Sequence, residues 1–361
     1  MTTALLSRYA ECLFWFGRYT ERTACLARLL EVQSSINRGR TGAARDWGWV
    51  LTLYDDHDRF RDHYEAADAP SVTSFYVTDR RNPGSIISCI HIARENARTL
   101  RAILSTELWQ QVNTFYNRFR ELPPSQFTEG RLSHTCQFIK KECYAQMGVA
   151  EATLYRDPAW SFFWLGVLVE RADQMSRLLD VRFALVGEGG APSQHPLGDF
   201  GFWSLLLRSA ATQQAFLRTR PGRRDADAVA RFLIFDAAVP RSIRFCVEEM
   251  AEVVHGLRAR FGLRANTRAL ERIDVLREIL AQAGQDPKLV QRLHSFNDHL
   301  QRELIDLSEE LSFTFFGHER PDFDTAAAGI DESSVRPAQS QSQSGAGSNQ
   351  TQTQTQSQSA P

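Results

Sequence analysis

An all-α fold, a large helical bundle built from an internally duplicated helical half and followed by a disordered C-terminal tail, is what this 361-residue sequence predicts. Three observations carry that expectation. Apolar residues recur three and four apart within long stretches instead of alternating, proline and glycine fall between those stretches, and one segment returns 149 residues further along the chain.

The periodicity predicts helices near 4–37, 45–66, 83–103, 105–121, 124–155, 158–186, 197–217, 225–235, 240–261, 266–283 and 287–316. Asn82-Pro83 and Asp157-Pro158 read as N-cap plus first-turn proline, a place where the missing proline N–H goes unneeded. The one β-like stretch, Val72 to Val77, is too short to found a sheet. We expect one helical domain over residues 1–320, with pseudo-repeats around 5–37 and 154–186. Residues 321–361 change composition and end in Gln/Ser/Thr repeats with almost no large apolar side chain. Such a segment has too little to bury to offset its ordering entropy, so a disordered tail is expected there.

The repeat aligns Phe14-Trp15-Phe16-Gly17-Arg18-Tyr19-Thr20-Glu21-Arg22 with Phe163-Trp164-Leu165-Gly166-Val167-Leu168-Val169-Glu170-Arg171, and Arg28-Leu29-Leu30-Glu31-Val32 with Arg177-Leu178-Leu179-Asp180-Val181. Nine of nineteen positions are identical, which chance does not supply, so duplication of a helical half packed with pseudo-twofold symmetry is the simplest cause. On a helix advancing about 100° per residue, Gly17, Glu21 and Arg28 share one stripe, while Trp15 and Arg22 share another. The second copy repeats this with Gly166, Glu170 and Arg177. A glycine on such a stripe admits a close second helix at a propensity cost of about 1 kcal/mol. Across that crossing we expect Glu21 and Arg28 to meet Glu170 and Arg177 as reciprocal pairs. Buried ion pairs that set packing are one reading. A cleft that binds an anionic or peptidic ligand is a second, and catalytic carboxylates are a third.

Two further clusters join the candidate set. Arg94, Glu95 and Arg98 sit in the helix after Asn82-Pro83-Gly84-Ser85. Arg241 and Arg244 stand in the first turns of another helix, where the dipole favours negative charge, which points to an anionic partner or a buried carboxylate; Arg244 alternatively pairs with Glu248. Glu252 and His255 form a single Glu-x-x-His pair, whereas di-iron bundles need two on different helices. The cluster Asp55-Asp56-His57-Asp58 with Asp62-His63 is acidic enough to attract a cation, but a solvated helix start is the preferred reading. Phosphate-cradle, nucleophile-elbow and zincin motifs are absent from the sequence, so we expect neither metal nor cofactor.

Residues 1–320 carry 41 basic against 39 acidic groups, a balance that argues against a general nucleic-acid binder. Three lysines stand against 39 arginines, which suits carboxylate pairing by planar guanidinium groups as well as a GC-rich genome. Six cysteines without a CxxC pair read as small core hydrophobes in a reducing compartment. The longest apolar run, Ala159 to Val169, stops at Glu170-Arg171, too short for a membrane span, and the N-terminal residues show no signal pattern. A cytoplasmic protein is the expectation.

In order along the chain, Ser7-Arg8, Glu11, Trp15-x-Gly17-Arg18-Tyr19-x-Glu21-Arg22, then Asn82-Pro83 with Ala93-Arg94-Glu95-Asn96-Ala97-Arg98, then Trp164-Leu165-Gly166 with Glu170-Arg171-Ala172, then Pro240-Arg241-Ser242 with Phe245-Cys246 form four signatures. In this the chain resembles the bacterial alpha-E family, helical proteins named for a Glu-Arg motif, from about Leu5 to Phe316. One departure is Thr23-Ala24-Cys25, where the family usually shows Ala-Glu-Asn. The resemblance implies company: a circularly permuted ATP-grasp protein and a transglutaminase-like protein, encoded beside such chains or fused to them. It thereby implies an accessory or substrate-presenting partner of an amide- or peptide-bond-forming system. An enzyme in its own right, with Glu21 or Glu170 as acid/base, and a purely structural assembly module are the alternatives.

Overall fold

Long amphipathic segments dominate the chain, and in a computed structural model they become helices. The structure describes residues 5–38, 47–186, 198–223, 225–263 and 267–320, with side chains left aside between 181 and 202. The tail expected over 321–361 lies outside the described residues. Helices α1 (Ser7–Asn37), α2 (Gly48–Tyr54), α3 (His57–Arg61), α4 (Ala69–Val77) and α5 (Ile86–Thr99) come first. They are followed by α6 (Thr106–Arg120), α7 (Glu129–Thr153), α8 (Pro158–Val186), α9 (Gly198–Ser209) and α10 (Gln213–Thr219). The last are α11 (Ala226–Phe235), α12 (Ile243–Phe261), α13 (Thr267–Gln285) and α14 (Leu293–Leu311). Among the described residues there are no strands, and the fold is all-α as expected.

Several expected helices are interrupted. The segment expected over 45–66 is two short helices, because Asp55 turns into the left-handed region (φ 53°) and ends α2. Ala211 (φ 57°) likewise separates α9 from α10 within the stretch expected at 197–217. The β-like run Val72 to Val77 is helical within α4, whose start is fixed by Asp68 accepting the Ser71 N–H at 2.9 Å. Asn82 is not the cap expected of it. Its amide donates to Phe75 O at 3.1 Å and accepts from Gly84 N–H at 2.8 Å, forming a turn, and Ser85 caps α5 instead. Asp157 does accept from Ala159 N–H at 2.8 Å at the start of α8.

The duplicated segments are the two longest helices, and they form the centre of the molecule. α8 packs along α1; α5 and α7 flank α1, while α12 and α14 cover α8. Leu13, Phe16, Leu26 and Leu30 of α1 and Phe163, Leu165, Leu168 and Leu179 of α8 are buried in one continuous core. Gly17 faces the Phe163 carbonyl and the Val167 N–H; Gly166 faces the Phe14 carbonyl. Further along, Glu21 meets Arg171 and Arg22 meets Glu170. Contact positions thus advance together on both helices, so α1 and α8 run parallel, and each contact has a mate displaced by the repeat offset. No side chain fits at the two glycines: a methyl group at either would overlap the facing carbonyl oxygen. Here the glycine cost is offset by backbone-to-backbone contact that alanine forbids.

Gly17→Ala and Gly166→Ala should therefore lower stability by roughly 1–3 kcal/mol or more, despite alanine's better helix propensity. Gly148→Ala and Gly256→Ala, where an added methyl meets nothing within 4 Å, should be neutral or stabilise by up to about 1 kcal/mol. Denaturant unfolding of the four variants checks the contrast; equal behaviour would show that the crossing tolerates separation.

Candidate functional site

The repeated Glu-Arg motifs sit one turn beyond the glycine contact, where the two helices are still close and solvent is excluded. Glu170, fully buried, accepts from Arg18 Nε at 2.9 Å, from Arg22 Nε at 2.6 Å and Arg22 Nη2 at 2.9 Å, and from the Gln174 amide at 3.0 Å. Glu21, 2% exposed, accepts from Arg171 Nε at 3.2 Å, from Arg241 Nη1, and from the Cys25 thiol at 3.4 Å. Each motif's glutamate is held by the other motif's arginine. A further guanidinium completes each site: Arg18 for Glu170, and Arg241 for Glu21.

The expected pairing is corrected in one respect. Arg28 and Arg177, on the same stripe as the glutamates, do not reach across. Arg177 turns back to Asp173 of its own helix at 3.2 Å, and Arg28 donates to Ser209 O at 3.2 Å and the Tyr144 hydroxyl at 3.0 Å. Arg22 and Arg171 reach instead, although their Cα atoms lie on the neighbouring stripe. The backbones approach so closely at the glycines that a long flexible side chain starting beside the contact face spans the gap. Aromatic rings steady several of these arginines, with Arg18 over Trp15 at 5.1 Å, Arg22 over Tyr19 at 5.7 Å and Arg171 over Trp164 at 5.1 Å.

Burial pushes both carboxyls up, but the guanidiniums outweigh it. Arg241 and Arg171 hold Glu21 at about 2, and Arg22 and Arg18 hold Glu170 at about 2, against an ordinary 4.5. Arg22 and Arg241 are correspondingly raised, burial being outweighed by Glu170 and by Glu21. Permanently ionised glutamates without access to solvent are poor acid/base groups near neutral pH. The packing reading fits this geometry better than the catalytic one.

The other predicted residues lie elsewhere. Arg94 donates to Asn113 at 2.9 Å, pairs with Glu95 at 2.8 Å and covers the Tyr116 ring at 4.9 Å, while Arg98 takes the other oxygen of Glu95 at 2.7 Å. That cluster is satisfied locally. Arg241 precedes α12, which Ser242 caps, and its buried-carboxylate reading is realised in Glu21. Arg244 is exposed and does not pair with Glu248, because Arg277 from α13 takes that carboxylate at 2.6 Å. Arg244 instead lines a cleft of about 860 Å³ between α11, α12 and α13, together with Arg220, Arg231 and Arg277. Sequence reasoning singled out Arg244 but missed this cleft, whose other arginines lie in segments that carry no repeat or motif.

Other candidate chemistry is similarly placed. Glu252 and His255 are exposed, and His255 Nδ1 contacts the Ala251 carbonyl at 2.9 Å. Asp180, His294 and Asp298 converge at the surface, where the two His294 ring nitrogens face different carboxylates, Asp180 at 2.8 Å and Asp298 at 3.7 Å. Asp56 of the acidic run is buried, paired with Arg59 and the Tyr76 hydroxyl, while Asp55, His57 and Asp58 are exposed at the start of α3, so the run is a solvated helix start with one packed member. Four cysteines are buried and all six are free; burial pushes the thiols up, Cys89 and Cys246 to about 12, as unreactive core groups.

The depressed glutamates make stability pH-dependent. A carboxyl whose folded pKa lies below its unfolded value adds stability that is complete above the unfolded value near 4.5 and is lost as pH falls through about 2. Each glutamate contributes on the order of 3 kcal/mol by this route. Glu170→Gln should cost roughly 3–5 kcal/mol at pH 7, since Arg18 and Arg22 lose their counter-charge, and should flatten the acid limb between pH 4.5 and 2. Urea unfolding across that window checks both; a variant as stable and as acid-sensitive as the parent would refute the buried pairing.

The chain is 25% identical over 264 residues, 67% of its length, to uncharacterised proteins of Mycobacterium bovis and Mycobacterium tuberculosis (strain CDC 1551 / Oshkosh). It is 24% identical over the same length to a third, from Mycobacterium tuberculosis strain H37Rv. The matching region spans only 29% of the length of these relatives. No solved structure matches. The Alpha-E family, described as "a predicted alpha-helical domain with a conserved ER motif", matches residues 5–316: the chain belongs to the Alpha-E family.

Proposed function

We propose that this protein is an accessory, substrate-presenting partner in an ATP-grasp-type amide- or peptide-bond-forming system, and that its Glu-Arg motifs are the latch that holds the two halves in register. The observation that carries the reading is the enclosure of Glu21 and Glu170, each between two guanidiniums and ionised. The residues most suggestive of catalysis are thereby committed to holding the fold, and the bond-forming chemistry is assigned to the partner.

Two further features support it. The relatives carry the matching region as a minor part of a much longer chain, which suits a module that works beside other domains. The α11–α13 cleft offers guanidinium groups, the residue type that recognises carboxylates in bidentate fashion. Arg220, Arg231 and Arg277 there are tied to acids of this chain, whereas Arg244 makes no ion pair or hydrogen bond among the described residues. It is the group free to meet a carboxylate-bearing substrate or an acidic face of the partner. A cytoplasmic location accords with these reactions' use of ATP; among the described residues no helix is long and apolar enough to cross a membrane.

Co-expression with a circularly permuted ATP-grasp protein of the same organism should give a stable complex, with ATP turnover several-fold higher than that of the ATP-grasp protein alone. Arg244→Ala should weaken the complex or raise KM while leaving Tm unchanged, because the side chain is exposed and unpaired. Absence of a complex together with unchanged turnover, or amide chemistry by this chain alone, would overturn the proposal.

A further inference from the structure

The two ends of the repeat are not equivalent in charge. Around Glu170, the three guanidiniums of Arg18, Arg22 and Arg177 meet two carboxylates, Glu170 and Asp173. Around Glu21, the guanidiniums of Arg171 and Arg241 pair with that one carboxylate, and Arg28 stands beside them with none of its own. The repeat offset identifies what is missing. Asp173 corresponds to Ala24, and Gln174 to Cys25. In the second copy Asp173 accepts from Arg177 on the same helix and Gln174 braces Glu170. In the first copy a methyl group and a thiol stand in those places, and Arg28 loses its counter-ion.

The consequences are visible in the packing. Arg28 is 3% exposed, and no described carboxylate lies within ion-pairing distance of it. Its Nη1 donates to Ser209 O at 3.2 Å and contacts Cys25 Sγ at 3.8 Å, and Nη2 donates to Tyr144 at 3.0 Å, while the buried Nε has no acceptor. The hydroxyl of Ser209, equally buried, has no partner either. Arg28 and Ser209 line one small cavity of about 30 Å³, together with Cys25, Arg171 and Arg241. Room for a water takes about 10–15 Å³ of such space, so two or three non-hydrogen atoms fit. The half-buried residues of its wall, Cys25, Tyr54, Arg171 and Arg241, leave a route from the surface.

We propose that this cavity is a binding site for a small monovalent anion, a carboxylate of formate size or a halide, which takes the place of the carboxylate that Ala24 lacks. Arg28 supplies the charge and its free Nε–H, and Ser209 supplies a hydroxyl donor. Arg171 and Arg241 add positive potential that Glu21 only half cancels. The site rests on the charge balance and on the two unpartnered groups, and it stands or falls separately from any ATP-grasp partner.

Thermal melts of the full chain in formate or in chloride, each exchanged against gluconate at constant ionic strength, provide the test. Gluconate is too large to enter, so formate, chloride or both should raise Tm in a saturable way, and which of them does so distinguishes a carboxylate ligand from a halide. Ser209→Ala removes only a hydroxyl and should weaken the anion's apparent affinity several-fold. Ala24→Asp restores the internal carboxylate; it should abolish the response and melt in gluconate as the parent melts in saturating anion. The proposal is overturned if the parent responds alike to formate, chloride and gluconate, or if Ser209→Ala titrates like the parent. It is equally overturned if a folded Ala24→Asp keeps the full response. Should Ala24→Asp not fold, Ser209→Ala decides.

Discussion

The close approach of α1 and α8 at Gly17 and Gly166 is the constraint on which the other features rest. Two parallel helices of about thirty residues have their backbones in contact at one point, with each glycine facing a carbonyl oxygen of the other helix. The carboxylates immediately beyond, Glu21 and Glu170, are shut off from water and must be satisfied by neighbouring side chains. A charged group there is tolerated only with its full complement of partners. The cross-paired Glu-Arg motifs meet that requirement, and they meet it in one register only. A slip along either helix would leave two buried carboxylates without the guanidiniums that hold them. The specificity of the packing thus comes from the ion pairs, while the burial of the large aromatic and aliphatic side chains around them supplies the driving force.

The pseudo-symmetry is strict where the backbones touch and relaxes outward. Gly17 and Gly166, Phe14 and Phe163, and the two Glu-Arg pairs obey it. Arg18 does not, since its counterpart is Val167, and the second guanidinium for Glu21 is brought by Arg241 from the turn before α12. That turn is itself held, because Arg171 Nη1 donates to the Pro240 carbonyl at 3.4 Å. The duplicated core therefore recruits a part of the chain outside the repeat to complete its charge balance. The sequence carries this contact in three separated pieces, and only the fold shows that they are one site.

How much of this was legible in the sequence depends on the range of the interaction concerned. The all-α class, most helix positions and the duplication follow from periodicity and self-similarity, which are local or directly comparable properties. So did the guess that the glycine stripe meets another helix and that glutamates and arginines pair across it. The break at Ala211 was not legible, because alanine does not signal a left-handed backbone by type, and the break at Asp55 was not, because all four residues of Asp55-Asp56-His57-Asp58 are of types that adopt one more readily and the run does not say which does. The helical state of Val72 to Val77 was not legible either, since a short apolar run with β-branched residues fits both states until its neighbours are known.

The sequence by itself determined that this is a helical protein with two copies of a Gly-x-x-x-Glu-Arg element, and that charge would have to be accommodated where those copies meet. Tertiary structure alone decided which arginine serves which glutamate. Stripe geometry favoured Arg28 and Arg177, but the helix separation at the glycines is short enough for Arg22 and Arg171 to reach across, and that separation is a property of two helices, which no single-helix projection contains. Tertiary structure also decided that Arg241 completes Glu21, that Arg244 faces an open cleft, and that Arg28 is left without a counter-ion. Each of these depends on distances between segments up to about two hundred residues apart, and such distances are set by how the whole core packs.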